Sequence, residues 1–416
     1  MLVINACVFD GRKENLAEGI SVLVEGNRIV KIAKSIEASE GQTVIDAGGR
    51  TLMPGLIDTH WHSIFATMPQ AKLLQSDMGY MTLVGARANR DALMRGFTTV
   101  RDTGGNVFAL KQAIDEGLID GPRIYPSGPM LSQTSGHGDF RGPFDVPENP
   151  STPLNYLQRT GNIAIADGVP EVIKRSREAL RMGATQLKAM AGGGVSSPYD
   201  PIDTTQYTFE EIKAIVDVAK TWNTYVAVHT FTDASTRQAI EAGVLSIEHG
   251  HLLSEETLEL MAQKKLWLCI QPILDDEDAI PFPDPISRAK FVQVTEGTDR
   301  VYNLAKKHKV KIAFGTDTLF DPELAEKQGK QLAKLGRWFT SYEALKMATS
   351  DNAELIKLCG PRDPYPGKLG VIEEGALADI IIVNGNPLQS LDLVADPQKN
   401  FALIMKDGKI YKNTIK

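Results

Sequence analysis

At 416 residues, the chain is long enough for one large domain and a smaller companion. Its apolar fraction of 42% and charged fraction of 23% are those of a globular protein, and 45 basic against 52 acidic residues, with no clustered Lys/Arg stripe, argue against a nucleic-acid partner. No apolar run approaches the roughly 20 residues of a spanning helix, so no membrane partner is expected. Three cysteines lie far apart, Cys7, Cys269 and Cys359, with no Cys-x-x-Cys pair. They build no disulfide framework, which points to a reducing, cytoplasmic location.

Residues 2–9 read as a strand closed by the turn Asp10-Gly11. This opening carries no basic segment and apolar core of a signal peptide, although a leader removed earlier would leave no trace. Residues 20–25 and 28–32 are two more strands, and Gly26-Asn27 between them suits a hairpin. Val44 to Gly49 leads into Leu52-Met53-Pro54 without a long helix. The C-terminus has the same texture: 379–383 is a buried-type strand, and 401–405 and 409–411 flank the turn Asp407-Gly408. Neither end has enough strands alone, so the two are expected to pair into one small β-sandwich.

The middle alternates between apolar strands and amphipathic helices. Strands are expected at 56–60, 98–101, 123–126, 186–189, 225–229, 246–249, 266–270 and 311–314. Helical patterns fall between them, at 172–181, 209–221, 234–242 and 254–264, the last opening with the capping residue Ser254. Eight strands alternating with helices imply an α/β fold, a (β/α)8 TIM barrel over residues 55–366. Residues 1–54 and 367–416 supply the two halves of the sandwich. Two segments break the rhythm and read as long loops: 128–167, rich in Gly and Pro, and 273–287, rich in Pro and acidic residues. Loops at the carboxyl ends of barrel strands are where active sites form.

The first strand ends in Pro54-Gly55-Leu56-Ile57-Asp58-Thr59-His60-Trp61-His62. Side chains alternate along a strand, so His60 and His62 share a face and make half of a zinc-type site. Read alone, they would be two histidines in a solvated loop. Four further candidates end later strands: Lys188, His229, His249 and Asp317. Each has a plain reading by itself. His229 and His249 would be hydrogen-bonded core histidines, His251 a loop residue, Asp317 a helix cap, and Lys188 a buried ion pair with Glu248. On a barrel, however, all six converge on one mouth. A protonated lysine cannot ligate a metal; a lysine carboxylated by CO2 presents two anionic oxygens that bridge two cations.

On these residues the chain resembles the amidohydrolase superfamily of metal-dependent hydrolases, over essentially its whole length. The resemblance implies that His60, His62 and Asp317 hold a buried metal, that His229 and His249 hold a second, and that carboxylated Lys188 bridges both. The expected cofactors are two divalent metal ions, with zinc the first choice, and the CO2-derived group on Lys188. The chain is further similar to the branch of Xaa-Pro dipeptidases, lysine/arginine carboxypeptidases and ochratoxin-type amidases. That match rests on Leu131-Ser132-Gln133-Thr134-Ser135-Gly136-His137-Gly138-Asp139 and Lys188-Ala189-Met190-Ala191-Gly192-Gly193-Gly194-Val195. A small-molecule substrate and a homo-oligomer are expected with it.

Two cations sharing one water lower its pKa and supply hydroxide, and a metal polarises the scissile carbonyl. Asp317 is the candidate to take up a proton and deliver it to the leaving amine. His137 is the candidate donor to the carbonyl oxygen. Gly193, within Gly192–Gly194, is read as a close approach of backbone to substrate. Arg141, on the His137 loop, is the candidate fork for a substrate carboxylate. Phe231 stands where several peptidase-like relatives carry a tyrosine, so a phenol donor is missing. The expected reaction is hydrolysis of the amide bond of a dipeptide or N-acyl amino acid. The alternatives are another C–N or ester bond on the same barrel (a cyclic amide, urea or lactone) and deamination. Deamination ranks low, because Thr230-Phe231-Thr232 follows His229 without a glutamate and Lys188 is present. A non-catalytic scaffold would have lost ligands, and none is lost here. The acidic residues from Asp275 to Asp284 are read either as a solvated face or as favouring a basic substrate side chain.

Overall fold

The structure, a computed structural model, describes residues 1–149, 151–197, 199–282 and 284–415. Pro150 and Pro283, which fall in the two segments read as loops, lie outside the described residues, as do Pro198 and Lys416. Strands β1 (Leu2–Val8), β2 (Ala17–Glu25), β3 (Arg28–Ala33), β4 (Val44–Asp46) and β5 (Thr51–Pro54) open the chain. Ten short parallel strands follow: β6 (Leu56–Trp61), β7 (Phe97–Asp102), β8 (Arg123–Pro126), β9 (Met130–Ser132), β10 (Ile163–Ile165), β11 (Leu187–Met190), β12 (Val226–Thr230), β13 (Ser246–His249), β14 (Trp267–Ile270) and β15 (Lys311–Phe314). The chain closes with β16 (Ile380–Val383), β17 (Phe401–Lys406) and β18 (Lys409–Asn413).

Both ends of the chain meet in one eight-stranded sheet, ordered β18-β17-β16-β5-β1-β2-β3, with β4 beside β1. The junction is β5 against β16, antiparallel, with Met53 opposite Ile381. Alternation drives this pairing: Leu52, Ile380 and Ile382 enter one buried cluster, while Met53 and Ile381 enter the large core shared with the parallel strands. At the carboxyl end of β5 the chain passes through Gly55 directly into β6. A Cβ on Gly55 would lie 2.2 Å from Thr98 Oγ1, so nothing larger fits there. Arg123 on β8, almost fully buried, makes ion pairs with Asp379 and Asp407 and so ties the parallel strands to the terminal sheet.

The middle of the chain is α/β, with parallel strands in two sheets, β6-β7-β8 and β10-β9-β11-β12-β13-β14-β15. Helices come between successive strands. Phe209–Thr221 carries a complete capping box, Thr208 with Glu211, and buries Ile212, Ile215, Val216 and Ala219. Glu255–Gln263 begins after Ser254, whose hydroxyl accepts from Thr257 N at 3.4 Å.

The expected loop at 128–167 is corrected by the structure. It contains β9, the short helix Tyr156–Arg159 and β10. These strands have only three residues each, too few to show alternation, and Gly128 and Pro129 mask the first of them. Gly128 has φ +71°. It turns the chain between β8 and β9, which belong to different sheets. The segment 273–287 is likewise not all loop, since the helix Pro285–Lys307 begins inside it, capped by Asp284.

Side chains join the other flank of the two sheets, where β15 faces β6. Asn352 Nδ2 donates to Ile57 O at 2.7 Å and to Phe314 O at 2.8 Å, and its Oδ1 accepts from Phe314 N at 2.9 Å. Thr59 Oγ1 donates to Phe314 O at 2.8 Å, and Asp317 N donates to His60 O at 2.8 Å. Asn352 is fully buried, so these backbone groups have no water to fall back on. Asn352→Ala is expected to cost about 3 kcal/mol, from three hydrogen bonds at roughly 1 kcal/mol each, in urea unfolding. A change below about 0.5 kcal/mol would mean that the seam does not depend on it.

Candidate active site

The carboxyl ends of the parallel strands bring the six expected side chains together. His60 lies on β6 with His62 just beyond it, Lys188 on β11, His229 on β12, His249 at the end of β13, and Asp317 three residues past β15. Asp317 Oδ1 is 3.2 Å from Nε2 of both His60 and His62. Its Oδ2 is 3.7 Å from His249 Nδ1. The rings of His60 and His249 are 4.9 Å apart, and those of His229 and His249 4.5 Å. All six line the floor of one cavity of ≈ 520 Å³.

Each imidazole is oriented by a partner behind it. His60 Nδ1 meets Glu248 Oε2 at 2.8 Å, and His62 Nδ1 lies 3.4 Å from Gly104 O. His249 Nδ1 meets Gln271 Oε1 at 2.8 Å; the amide is fixed by its Nε2, which donates to Cys269 O at 3.1 Å. His229 Nε2 meets Gly193 O at 3.1 Å. All four partners are acceptors, so the facing ring nitrogen donates and the other keeps its lone pair for the centre. Two such lone pairs at 3.2 Å from one carboxylate oxygen repel it. A cation between them removes that repulsion, and the donor set of imidazoles and a carboxylate suits a divalent metal.

The electrostatics favour the ligand-competent forms. Burial, followed by His137, His249 and Lys188, holds His229 well below its ordinary value; burial does the same to His249, against an upward pull from Asp317, so both are neutral. Burial would raise the Asp317 carboxyl; without a cation, a proton on Nε2 of His60 or His62 instead holds it well below the usual range, and a bound cation would take the place of that proton. Burial pushes Lys188 down, partly offset by Glu248 and Asp317. His249 and Asp317 both sit at positive φ, +76° and +50°, a left-handed backbone uncommon outside glycine, though His and Asp adopt it more readily than most residues.

Several plain readings are corrected here. Glu248 pairs with Arg101, not Lys188: Arg101 Nη2 reaches its two oxygens at 2.8 and 2.7 Å. Asp317 caps no helix; the next one, Pro322–Glu326, is capped by Asp321. His251 is a loop residue as read, in the turn after β13, but is fully buried there, with Nε2 3.0 Å from Gln271 O.

His137 lines the cavity, stacked on His229 with ring centroids 4.0 Å apart. Its Nδ1 lies 2.5 Å from Ser197 Oγ and 3.5 Å from Asp200 Oδ2. A Cβ on Gly194 would fall 1.9 Å from the His137 ring, and one on Gly193 would fall 1.8 Å from Pro201 O. The glycines therefore let backbone approach His137 and Pro201, and Gly193 is not among the residues lining the cavity. Phe231 does line it, stacked at 5.1 Å on His249. Arg141 is not brought to the floor. It borders a second cavity of ≈ 240 Å³, its Nε 2.8 Å from Asp139 Oδ1. Arg101, Gln271, Ser197 and Asp200 were missed in the sequence. An arginine inside an apolar strand was the one available signal, for Arg101.

The amidohydrolase family model matches residues 51–416 of the chain. The chain is 34% identical to the ochratoxinase of Aspergillus niger over 386 residues, 87% of this chain and 75% of that protein. Its structure is similar to that of a prolidase complexed with N-methylphosphonate-L-proline, with TM-score 0.91, 35% identity and 99% of each chain covered. It is also similar to a Xaa-Pro dipeptidase with bound methionine, with TM-score 0.86, 29% identity and 99% of each chain covered. Both kinds of relative belong to the branch that the sequence resembles.

The depressed histidines make a pH prediction. With His229 and His249 titrating near 6.5 in the unfolded chain and well below it in the fold, the unfolded state binds more protons as pH falls. The metal-free protein should be fully stabilised by them above about 6.5 and lose that stability progressively below it. Its melting temperature is expected to fall between about pH 7.5 and pH 5, with a smaller fall in His229→Gln. Equal slopes in the two proteins would count against the assignment.

Proposed function

The chain belongs to the amidohydrolase family, and from that premise we propose that it hydrolyses the amide bond of a dipeptide or an N-acyl amino acid. Family membership makes it a metal-dependent hydrolase of carbon–nitrogen bonds acting on small molecules. One observation carries the finer reading: His60, His62, Lys188, His229, His249 and Asp317 share the floor of one cavity, with His137 beside them. The likeness to a prolidase and a Xaa-Pro dipeptidase supports a peptide-like bond.

Divalent cations bound at this floor supply Lewis acidity, polarising a carbonyl and acidifying a water enough for attack near neutral pH. We assign His60, His62 and Asp317 to one ion and His229 and His249 to the other, with zinc the first choice. Lys188, once carboxylated, would offer its two anionic oxygens to both ions. Burial holds its amine below the ordinary value, towards the neutral form that adds to CO2. Asp317 accepts the proton of the attacking water and passes it to the nitrogen of the leaving amine. His137 Nδ1 meets Ser197 Oγ at 2.5 Å; with its ring proton on Nε2, His137 would donate to the carbonyl oxygen. Arg141 is kept as the partner of the substrate carboxylate. Its guanidinium is bonded to Asp139, so that role requires an exchange of partners.

The same proposal covers the architecture. We take β8 and β9 as one interrupted strand, which with β6, β7 and β11 to β15 makes a (β/α)8 barrel over residues 55–366. The three-residue link across Gly128 and the Asn352 bridge support this. Residues 1–54 and 367–416 form the sandwich, and the chain is taken to be a cytoplasmic homo-oligomer. No helix of the described residues is long and apolar enough to cross a membrane.

Asp317→Asn keeps an oxygen for coordination but cannot take up a proton at neutral pH. Turnover should fall about 10²–10⁴-fold while metal analysis still finds near two equivalents per chain; near wild-type turnover would move the proton shuttle elsewhere. For the substrate, dipeptides and N-acyl amino acids are compared with their C-terminal amides. Free acids should be cleaved faster, and the preference should shrink in Arg141→Ala. Equal rates on acids and amides would sink carboxylate recognition and move a cyclic amide, urea or lactone ahead.

A further inference from the structure

The cavity above the metal-ligand floor is large, apolar and electrically quiet. At ≈ 520 Å³ it lies within the range that holds drug-sized ligands. Its walls bring together Phe65 from beyond β6, Phe140 from beyond β9, Ile280 and Phe282 from the segment after β14, Phe291 from the helix Pro285–Lys307, and Phe320 from beyond β15. Five separate places in the chain thus contribute large apolar side chains to one space. Phe282 and Phe291 pack on each other with ring centroids 5.5 Å apart, and Phe65 and Phe320 do so at 6.4 Å.

The charges around this space are already spent. Asp278 and Asp276 belong to the acidic segment and both reach Lys334, at 3.6 and 2.8 Å. Asp278 also pairs with Lys327 at 2.6 Å, and Asp275 with Arg288 at 2.7 Å. Asp284 and Asp321 cap helices through their carboxylates. The reading of the acidic segment as a site for a basic side chain therefore finds its aspartates engaged, while the exposed Glu277 does not line the cavity. Among the described residues no arginine lines the cavity; its lysines are Lys188, on the floor, and Lys334, held by two aspartates. A charged group carried deep into this space finds no ready partner, and burying it unpaired costs several kcal/mol. An apolar group instead gains contact with aromatic faces and loses its water.

Resting on the amide-hydrolase reading above, we propose that one flank of the scissile amide in the preferred substrate is a large, uncharged, apolar or aromatic group seated against Phe65, Phe140, Phe282 and Phe291. Small polar dipeptides are poor substrates by the same argument, since they leave most of these walls wet.

Two series of N-acyl amino acids test this on the metal-loaded enzyme. One lengthens the acyl chain from acetyl to decanoyl on a fixed amino acid; the other enlarges the amino acid from Gly through Leu to Phe under a fixed acyl group. In at least one series kcat/KM should rise about fourfold per buried methylene, the equivalent of ~0.8 kcal/mol, until the cavity is full. Phe282→Ser and Phe140→Ser should each flatten that rise. A binding measurement runs beside the kinetics: inhibition constants of straight-chain carboxylic acids from acetate to decanoate should tighten with length. If kcat/KM is flat in both series, or is highest for a Lys or Glu flank, the proposal is overturned while amide hydrolysis stands. If no amide is cleaved, the amide-hydrolase reading fails and the acids alone decide the cavity: tightening with length upholds apolar recognition, and a flat series overturns it.

Discussion

Beneath the site, the carboxylate of Glu248 is held between a guanidinium and an imidazole with no water in reach. Arg101 grips both of its oxygens, His60 Nδ1 meets Oε2 at 2.8 Å, and Ser246 Oγ donates to Oε1 at 2.5 Å. Burial would push Glu248 up, but Arg101 and then His60 hold it well below the usual carboxylate range. The charge is balanced locally, so the arrangement survives without solvent. It is also the point through which three strands are fixed to one another. Arg101 on β7 donates from Nε to Thr59 O on β6 at 2.5 Å and reaches Ser246 on β13 at 3.3 Å. Removing any member leaves a buried charge or an undirected histidine, and the positions of His60 and Asp317 depend on all of them.

Rigidity behind the proposed ligands contrasts with strain at two of them. His249 and Asp317 hold left-handed backbone conformations, and Gly194 has no room for a methyl group because the His137 ring fills that space. Such positions persist only where the surroundings over-determine them. Here the surroundings are hydrogen bonds from outside the cavity: Gln271 behind His249, His60 O accepting from Asp317 N, and Lys290 Nζ on three carbonyls of the segment 194–200. Lys290 fixes that segment by donating to Gly194 O, Ser197 O and Asp200 O, and Ser197 and Asp200 in turn face His137. The side chains on the cavity floor are thus set from behind, and the space above them is left to largely apolar walls.

What was legible in the sequence follows from range. The motif ending in His60-Trp61-His62 is local, and so are the apolar runs that end in His229 and His249; strand periodicity places them on one end of the sheet before any coordinate is known. The helix Phe209–Thr221 and the strand Ser246–His249 were legible to the residue, because cap and apolar pattern both lie within the element. β9 and β10 were not, because three residues carry no period and their stability comes from neighbours in the sheet. The residues that orient the histidines from behind were hidden for a different reason. Gln271, Ser197 and Asp200 are ordinary polar residues until folding puts an imidazole in front of them.

Charge was the property the sequence represented least faithfully. The run from Asp275 to Asp284 looks like a negative patch because its partners are remote: Lys327 and Lys334 are 49 and 58 residues beyond the aspartates they meet. Arg141 looks free for a similar reason, although its partner Asp139 is only two residues away, since nothing in sequence shows the two side chains folding onto each other. A partnered charge exerts little field at a distance and donates no spare hydrogen bond, so it cannot select a substrate by attraction. Its contribution is shape. Lys334 and Lys327 tie the acidic segment to the region that follows β15, and the same segment carries Phe282, packed 5.5 Å from Phe291. On the proposed apolar selectivity, the acidic run would act indirectly, by holding apolar walls in place around a polar floor.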